Sequence, residues 1–270
     1  MSKQHPVIAI TGSSGAGTST VKNAFNHIFE RVGAKPLVIE GDSFHKYDRK
    51  QMAIAMEKKN KIGNRHFSHF GPEANHFDLI EKTFKDYGEK GFCKRRHYIH
   101  TDEEGALFGR KTGEFTEWEE AGRGSDLLFY EGLHGGVKDG PVDVAKFVDL
   151  LIGVVPVVNL EWIQKIHRDK NDRGYSAEAT VDTIHRRMWD YINYLTPQFS
   201  RTHINFQRFQ QLILQTRSLQ ETYLLRTKAL LLFGFKTTTT VTLFTYKIWL
   251  QGLLCPDPTR LLCLEEKWVL

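Results

Sequence analysis

The chain has 270 residues, 40% of them hydrophobic, with 37 Lys and Arg against 32 Asp and Glu and a net charge of +5. A chain of this size fits one large globular domain, or a domain with an appendage. It has no stretch of about 18 uncharged apolar residues and no apolar segment near Met1 of the kind a signal peptide needs, so no membrane span or leader is expected. The mild basic excess suits anionic small substrates as well as nucleic acid, and a solvated surface with surplus Lys and Arg accounts for it equally.

Val7-Ile8-Ala9-Ile10 is a short apolar run that predicts a buried parallel strand. A Gly/Ser/Thr-rich loop covers residues 12–20. Residues 21–31 then predict a helix with Ala24, Phe25, Ile28 and Phe29 on one face, ended by Gly33. Leu37-Val38-Ile39 predicts a second strand closing at Glu40-Gly41-Asp42. Strand, loop, helix and strand in this order open a doubly wound sheet. Residues 46–120 are polar, His-rich and aromatic, with helical patches at 51–60 and 77–87. They read as an insertion that builds one wall of a substrate cleft. Residues 126–131 predict a third buried strand ending on an acid, and 147–157 a further apolar strand region broken by Gly153 and Pro156. Residues 159–170 are amphipathic and helical. Ser176 is placed to cap a helix over 177–195 with Val181, Ile184, Met188 and Ile192 on one face. The fold expected is α/β, with a mostly parallel sheet of the P-loop NTPase type flanked by helices.

Gly12-Ser13-Ser14-Gly15-Ala16-Gly17-Thr18-Ser19-Thr20 follows a strand and opens a helix, the context a P-loop requires. Glycines let the backbone curl until successive N–H groups face phosphate oxygens, and the helix N-terminus adds positive potential. Ser19 stands where the Walker-A hydroxyl binds Mg²⁺. Thr18 occupies the position of the usual lysine, so another cation must neutralise the phosphates, or the segment is a Gly-rich turn without a ligand.

Asp42 closes the second strand, and in a doubly wound sheet the carboxyl ends of strands line the ligand crevice. A carboxylate there can take the proton of an attacking hydroxyl; a turn-forming Asp after Gly is the plainer alternative. Glu131 at the end of the third strand matches a Walker-B acid that holds Mg²⁺, against a strand-end Glu facing solvent. Lys165, Arg168 and Arg173 surround Asp169 and Asp172. Such a run is commonly a solvated face, but in a P-loop kinase it can form a lid over the transferring phosphoryl group. Lys165 or Arg168 would then replace the missing loop lysine. His45 and Arg49 can meet a substrate phosphate as cations. Lys94-Arg95-Arg96-His97 reads as a solvated basic loop. Aromatic and basic residues do not interleave as they do on a nucleic-acid platform, so no nucleic-acid partner is expected. Cys93, Cys255 and Cys263 lack zinc-type spacing, and so sparse a set fits a reducing compartment, the cytoplasm by default.

These motifs resemble a known family. Thr11 through Thr20, Glu40-Gly41-Asp42-Ser43-Phe44-His45, Phe129 through Gly135, Asn159 through Asp169, Pro197-Gln198-Phe199-Ser200 and Asn205-Phe206-Gln207-Arg208 are similar to the bacterial phosphoribulokinases, in which Thr also replaces the loop lysine. The resemblance covers residues 1–208. It implies ATP- and Mg²⁺-dependent phosphorylation of the C1 hydroxyl of D-ribulose 5-phosphate, giving ribulose 1,5-bisphosphate in the Calvin cycle. It implies Asp42 as catalytic base, with Lys165, Arg168 and Asp169 in the active site. It makes His45, Arg49 and Arg173 substrate contacts, and it implies a homo-oligomer activated by NADH. The rival readings are another P-loop metabolite kinase such as a uridine kinase, and a nucleotide-binding regulator without chemistry. Thr18, His45 and Arg49 count against the first, and a base at Asp42 counts against the second.

After Arg208 the resemblance stops. Residues 209–270 are rich in Leu and Thr, with mixed periodicity, and read as an out-of-frame translation rather than a second domain. Codons can be chosen for Phe209 to Ser218 that, read after one added G, give Val-Pro-Thr-Val-Asp-Thr-Ser-Asn-Pro-Phe, similar to the family's own continuation.

Overall fold

The computed structural model describes residues 4–171, 174–210, 229–236 and 241–247. In chain order, β1 (Val7–Thr11), α1 (Thr18–Val32) and β2 (Pro36–Glu40) form the opening unit. A 3₁₀ turn at Gly41–Phe44 leads into an insertion made of α2 (Arg49–Lys61), α3 (Phe77–Lys90), β3 (Cys93–Arg95), α4 (Asp102–Phe108) and β4 (Glu119–Ala121). The main sheet resumes with β5 (Leu127–Gly132). After the short hairpin of β6 (Lys138–Asp139) and β7 (Val142–Asp143) come β8 (Leu150–Val154), α5 (Val158–Asn171) and α6 (Ala177–Asp190). The last described strands are β9 (Ile204–Gln210), β10 (Ala229–Lys236) and β11 (Val241–Lys247).

Among the described residues the main sheet has seven strands in the order β11-β10-β9-β8-β1-β5-β2. It is parallel from β2 through β9, and β10 and β11 add antiparallel strands. The apolar runs of β1, β5 and β8 are continuous because both sheet faces are covered. Alternate residues go to opposite faces. Ala9, Leu128, Tyr130 and Leu151 pack with Ile80, Phe84 and Tyr87 of α3. Ile10, Phe129, Ile152 and Val154 pack with Val21 and Phe29 of α1.

Two expected helix faces are corrected. On α1, Ala24 and Ile28 are exposed, and the buried line runs through Val21 and Phe29 with Phe25 partly covered. The cause is a single seam: Phe25 and Phe29 both meet Phe129, with ring centres 5.7 and 5.0 Å away. On α6, Ile184 is buried while Val181 is exposed, as is Ile192 in the turn that follows. This helix lies against the polar insertion rather than the sheet, so its buried face is mixed. Asp190 accepts from the Ser68 hydroxyl at 2.6 Å, and Arg186 donates to the Phe67 carbonyl at 2.8 Å. Beyond Asp190 the coil widens into a π-helical turn at Tyr191–Leu195. Among the described residues no helix is long and apolar enough to cross a membrane.

Candidate active site

The site forms at the carboxyl ends of β1, β2 and β5. The loop after β1 is drawn onto the sheet by the Gly12 N–H, which donates to the Gly132 carbonyl at 3.2 Å, and it turns back where Ala16 N–H donates to Ser13 O at 3.0 Å. Gly17 precedes α1 at φ 99°, a left-handed conformation that favours glycine, and no side chain caps the helix. The first turn of α1 therefore presents its backbone dipole to the loop. Gly41 and Gly132 touch across the next pair of strands. A Cβ on Gly41 would lie 2.9 Å from the Gly132 Cα and 2.5 Å from the Tyr130 hydroxyl, so only glycine fits.

Helix α5 lies on this loop. Arg168 Nη2 donates to Ser14 Oγ at 2.9 Å, and the buried Glu161 carboxylate accepts from the Ser13 hydroxyl. Tyr191 donates to the other Glu161 oxygen at 3.2 Å. Lys165 pairs with Asp169 at 2.5 Å, and both are buried. Burial pulls the Lys165 pKa down against the opposing pull of Asp169. Burial would raise Asp169, but the hydrogen bond and charge of Lys165, followed by those of Arg168, outweigh it and hold the carboxyl below its usual value. Arg168 thus brings a cation of α5 onto the loop that has Thr18 in place of lysine.

Asp42 sits in the 3₁₀ turn after β2. His45 Nε2 stands 3.6 Å and His100 Nε2 3.8 Å from its carboxylate oxygens. Burial lowers the His45 pKa, with Arg187, His100 and Arg96 adding to the fall and Asp42 opposing it. Burial thus favours the neutral imidazole of His45 over its cation, since a ring this buried cannot hold a charge cheaply. Glu131 ends β5 directly opposite Glu40 in the parallel register. Burial raises its pKa, countered by a hydrogen bond from Thr18 and by the charge of Lys22. Lys22 itself pairs with Glu40 at 2.7 Å.

Ser19 stands exposed in the first turn of α1. Ser19 and Glu131 are the oxygen donors that the sequence reading assigns to Mg²⁺. Among the described residues no group of three His, Cys, Asp or Glu could hold a metal. That donor set fits Mg²⁺, which takes one or two protein oxygens and completes its shell with water and substrate phosphate. Arg49 opens α2, is exposed and packs on Gly113. Among the described residues no hydrogen bond or ion pair joins it to Asp42 or His45. Arg173 lies outside the described residues. His100 and Lys22 are not legible as site residues, because each reaches the site through a tertiary approach and neither lies in a motif; Glu161 lies within the Asn159–Asp169 motif, but its contact with Ser13 has no local signal.

The model of the "Phosphoribulokinase / Uridine kinase family" matches residues 7–214. The chromosomal phosphoribulokinase of Cupriavidus necator is 59% identical over 208 residues, 77% of this chain and 71% of that protein. A probable phosphoribulokinase of Escherichia coli is 55% identical over 208 residues, 77% of this chain and 72% of that protein. The solved structure of a phosphoribulokinase from Rhodobacter spheroides superposes with a TM-score of 0.73 at 43% identity, covering 87% of this chain and 81% of that one.

Proposed function

This chain belongs to the phosphoribulokinase/uridine kinase family, and on that premise we propose the following chemistry for its site. The enzyme is a phosphoribulokinase: it transfers the terminal phosphoryl group of ATP to the C1 hydroxyl oxygen of D-ribulose 5-phosphate, releasing ADP and ribulose 1,5-bisphosphate. The observation that carries the assignment of roles is the convergence of the phosphate loop, Asp42 and the cations of α5 at one end of the sheet. Asp42 takes the proton from the C1 hydroxyl as its oxygen attacks. His45, neutral and 3.6 Å from Asp42, hydrogen-bonds the substrate and fixes the carboxylate. Arg168 and Lys165 offset charge on the transferring group, and Asp169 holds both in place. The backbone of residues 12–20 cradles the nucleotide phosphates. Ser19 and Glu131 would hold Mg²⁺, which would supply Lewis-acid neutralisation of phosphate charge. Arg49 and Arg173 are sugar-phosphate contacts in this reading. Activation by NADH, a homo-oligomer and a cytoplasmic location belong to the same reading and draw on the resemblance of residues 1–208.

The test is ADP release by the purified chain with ATP, Mg²⁺ and ribulose 5-phosphate, with uridine as the control acceptor and NADH as an optional addition. Turnover on ribulose 5-phosphate alone is expected; turnover on uridine alone would overturn the assignment.

We also infer that residues 209–270 arise from a shifted reading frame. The match to the Cupriavidus necator relative spans 208 residues, 77% of this chain, and after Arg208 the composition turns rich in Leu and Thr. Resequencing the gene across the Arg208 codon should reveal a one-nucleotide difference. An unchanged DNA sequence, together with peptides of the present tail in the native protein, would refute the shift.

A further inference from the structure

The basic run Lys94-Arg95-Arg96-His97 reads as a solvated loop, but Arg96 turns inward. Its Nε donates to the Ser43 carbonyl and its Nη2 to the His45 carbonyl, both at 2.7 Å. Its guanidinium carbon lies 3.8 Å from the Phe115 ring centre and 4.7 Å from that of Trp118. Trp118 in turn packs on Phe44. Burial lowers the Arg96 pKa to about 10, so the side chain keeps its charge at neutral pH.

The two carbonyls belong to the turn that carries Asp42. That turn is closed by the His45 N–H donating to the Asp42 carbonyl at 3.2 Å, and by the Ser43 hydroxyl donating to the Glu40 carbonyl at 2.6 Å. Those two bonds stay within residues 40–45, and neither ties the turn to the rest of the insertion. On the far side, segment 74–76 is joined to it by Lys46 N–H to Ala74 O and His76 N–H to Phe44 O. Arg96 supplies the opposite anchor, a planar fork that bridges two carbonyls two residues apart. Its aromatic walls fix the plane of the fork. A lysine ammonium has its donors on one atom and reproduces neither the planar fork nor its stacking between the two rings.

We propose that Arg96 is a positioning residue for Asp42. It acts through the backbone of Ser43 and His45 and sets where the carboxylate stands relative to the attacking hydroxyl. The proposal rests on the reading of Asp42 as the proton acceptor. Loss of the fork lets the turn tilt, and a displacement of about 1 Å at a reacting group lowers turnover on the order of 100-fold. Nucleotide binding, which uses the loop after β1, is untouched.

The experiment compares Arg96→Lys, Arg96→Met and Asp42→Asn in the full chain. It measures kcat, the KM for ribulose 5-phosphate, the affinity for a non-hydrolysable ATP analogue, and thermal unfolding. Arg96→Lys and Arg96→Met should both lose about 10- to 100-fold in kcat while analogue affinity stays within about twofold. If Arg96→Met does not fold, Arg96→Lys decides alone. Arg96→Lys with kcat within about twofold of the parent overturns the inference. So does a parallel fall of analogue affinity and kcat, which marks a general structural role. Asp42→Asn with parental turnover removes the base reading and the inference with it. Asp42→Asn inactive beside an active Arg96→Lys removes the inference alone.

Discussion

Thr18 shows how one residue redistributes charge. Where a P-loop usually carries lysine, this chain has a hydroxyl that hydrogen-bonds the carboxylate of Glu131. The cation that reaches this loop is Arg168 of α5, far along the chain in sequence but 2.9 Å from the loop hydroxyl of Ser14. Because burial raises the Glu131 pKa above its ordinary value, this acid takes up its proton at a higher pH than a free glutamate. A protonated carboxyl does not ligate Mg²⁺. With Glu131 as the proposed ligand, the Mg²⁺ concentration for half-activation should therefore rise as the pH is lowered, and should begin to do so above the pH at which an ordinary glutamate titrates. Glu131→Gln should raise the requirement at high pH and flatten its pH dependence. Titration of ATP itself is common to both proteins and cancels in the comparison. Parent and variant with the same pH slope would exclude Glu131 as a metal ligand.

At the scale of elements, what was legible had a local cause. The strand, loop, helix and strand of residues 7–40 follow from an apolar run, a glycine-rich loop and a second apolar run. The structure puts α1 at Thr18–Val32, starting directly at the loop. The cap at Ser176 is also as expected, its hydroxyl accepting from Ala179 N–H at 3.1 Å. The apolar region 147–157 contains a strand only at Leu150–Val154, because Val144–Phe147 coils into a 3₁₀ turn first. What was not legible is the pairing. No local signal says that β5 inserts between β1 and β2, or that β8 takes the other side of β1. That order brings Glu131 beside Glu40 and so creates the acidic edge of the site. Arg96 was misread for the same reason. Its four-residue basic context looks solvated, and only the fold of residues 115–118 over it reveals the aromatic cage.

Across the whole molecule, the polar insertion and the sheet meet at a set of buried imidazoles, and this should govern stability against pH. His45 and His69 lie with ring centres 4.2 Å apart, and His134 Nε2 is 2.9 Å from the Phe70 carbonyl. Burial is the first cause of a lowered pKa at all three, and it takes His134 from 6.5 to about 3. With the folded pKa depressed, the unfolded chain binds more protons at any pH between about 3 and 6.5. Stability contributed by the neutral ring is complete above 6.5 and declines as pH falls through that window. Arg187, Arg186 and Asp42 also face these rings, so their charges modulate the shift. Buried carboxyls at Glu131, Glu161 and Asp190 are shifted upward and pull the other way. The raw pH slope therefore mixes both signs, and the informative quantity is the difference between the parent and His134→Gln. Urea unfolding of both proteins from about pH 7.5 to about pH 5.5 measures it. Whatever the substitution itself costs at high pH, the stability advantage of the parent should shrink as the pH is lowered. A constant difference across the range would mean that His134 takes up protons equally in the folded and unfolded chains, and that its buried ring is not held neutral.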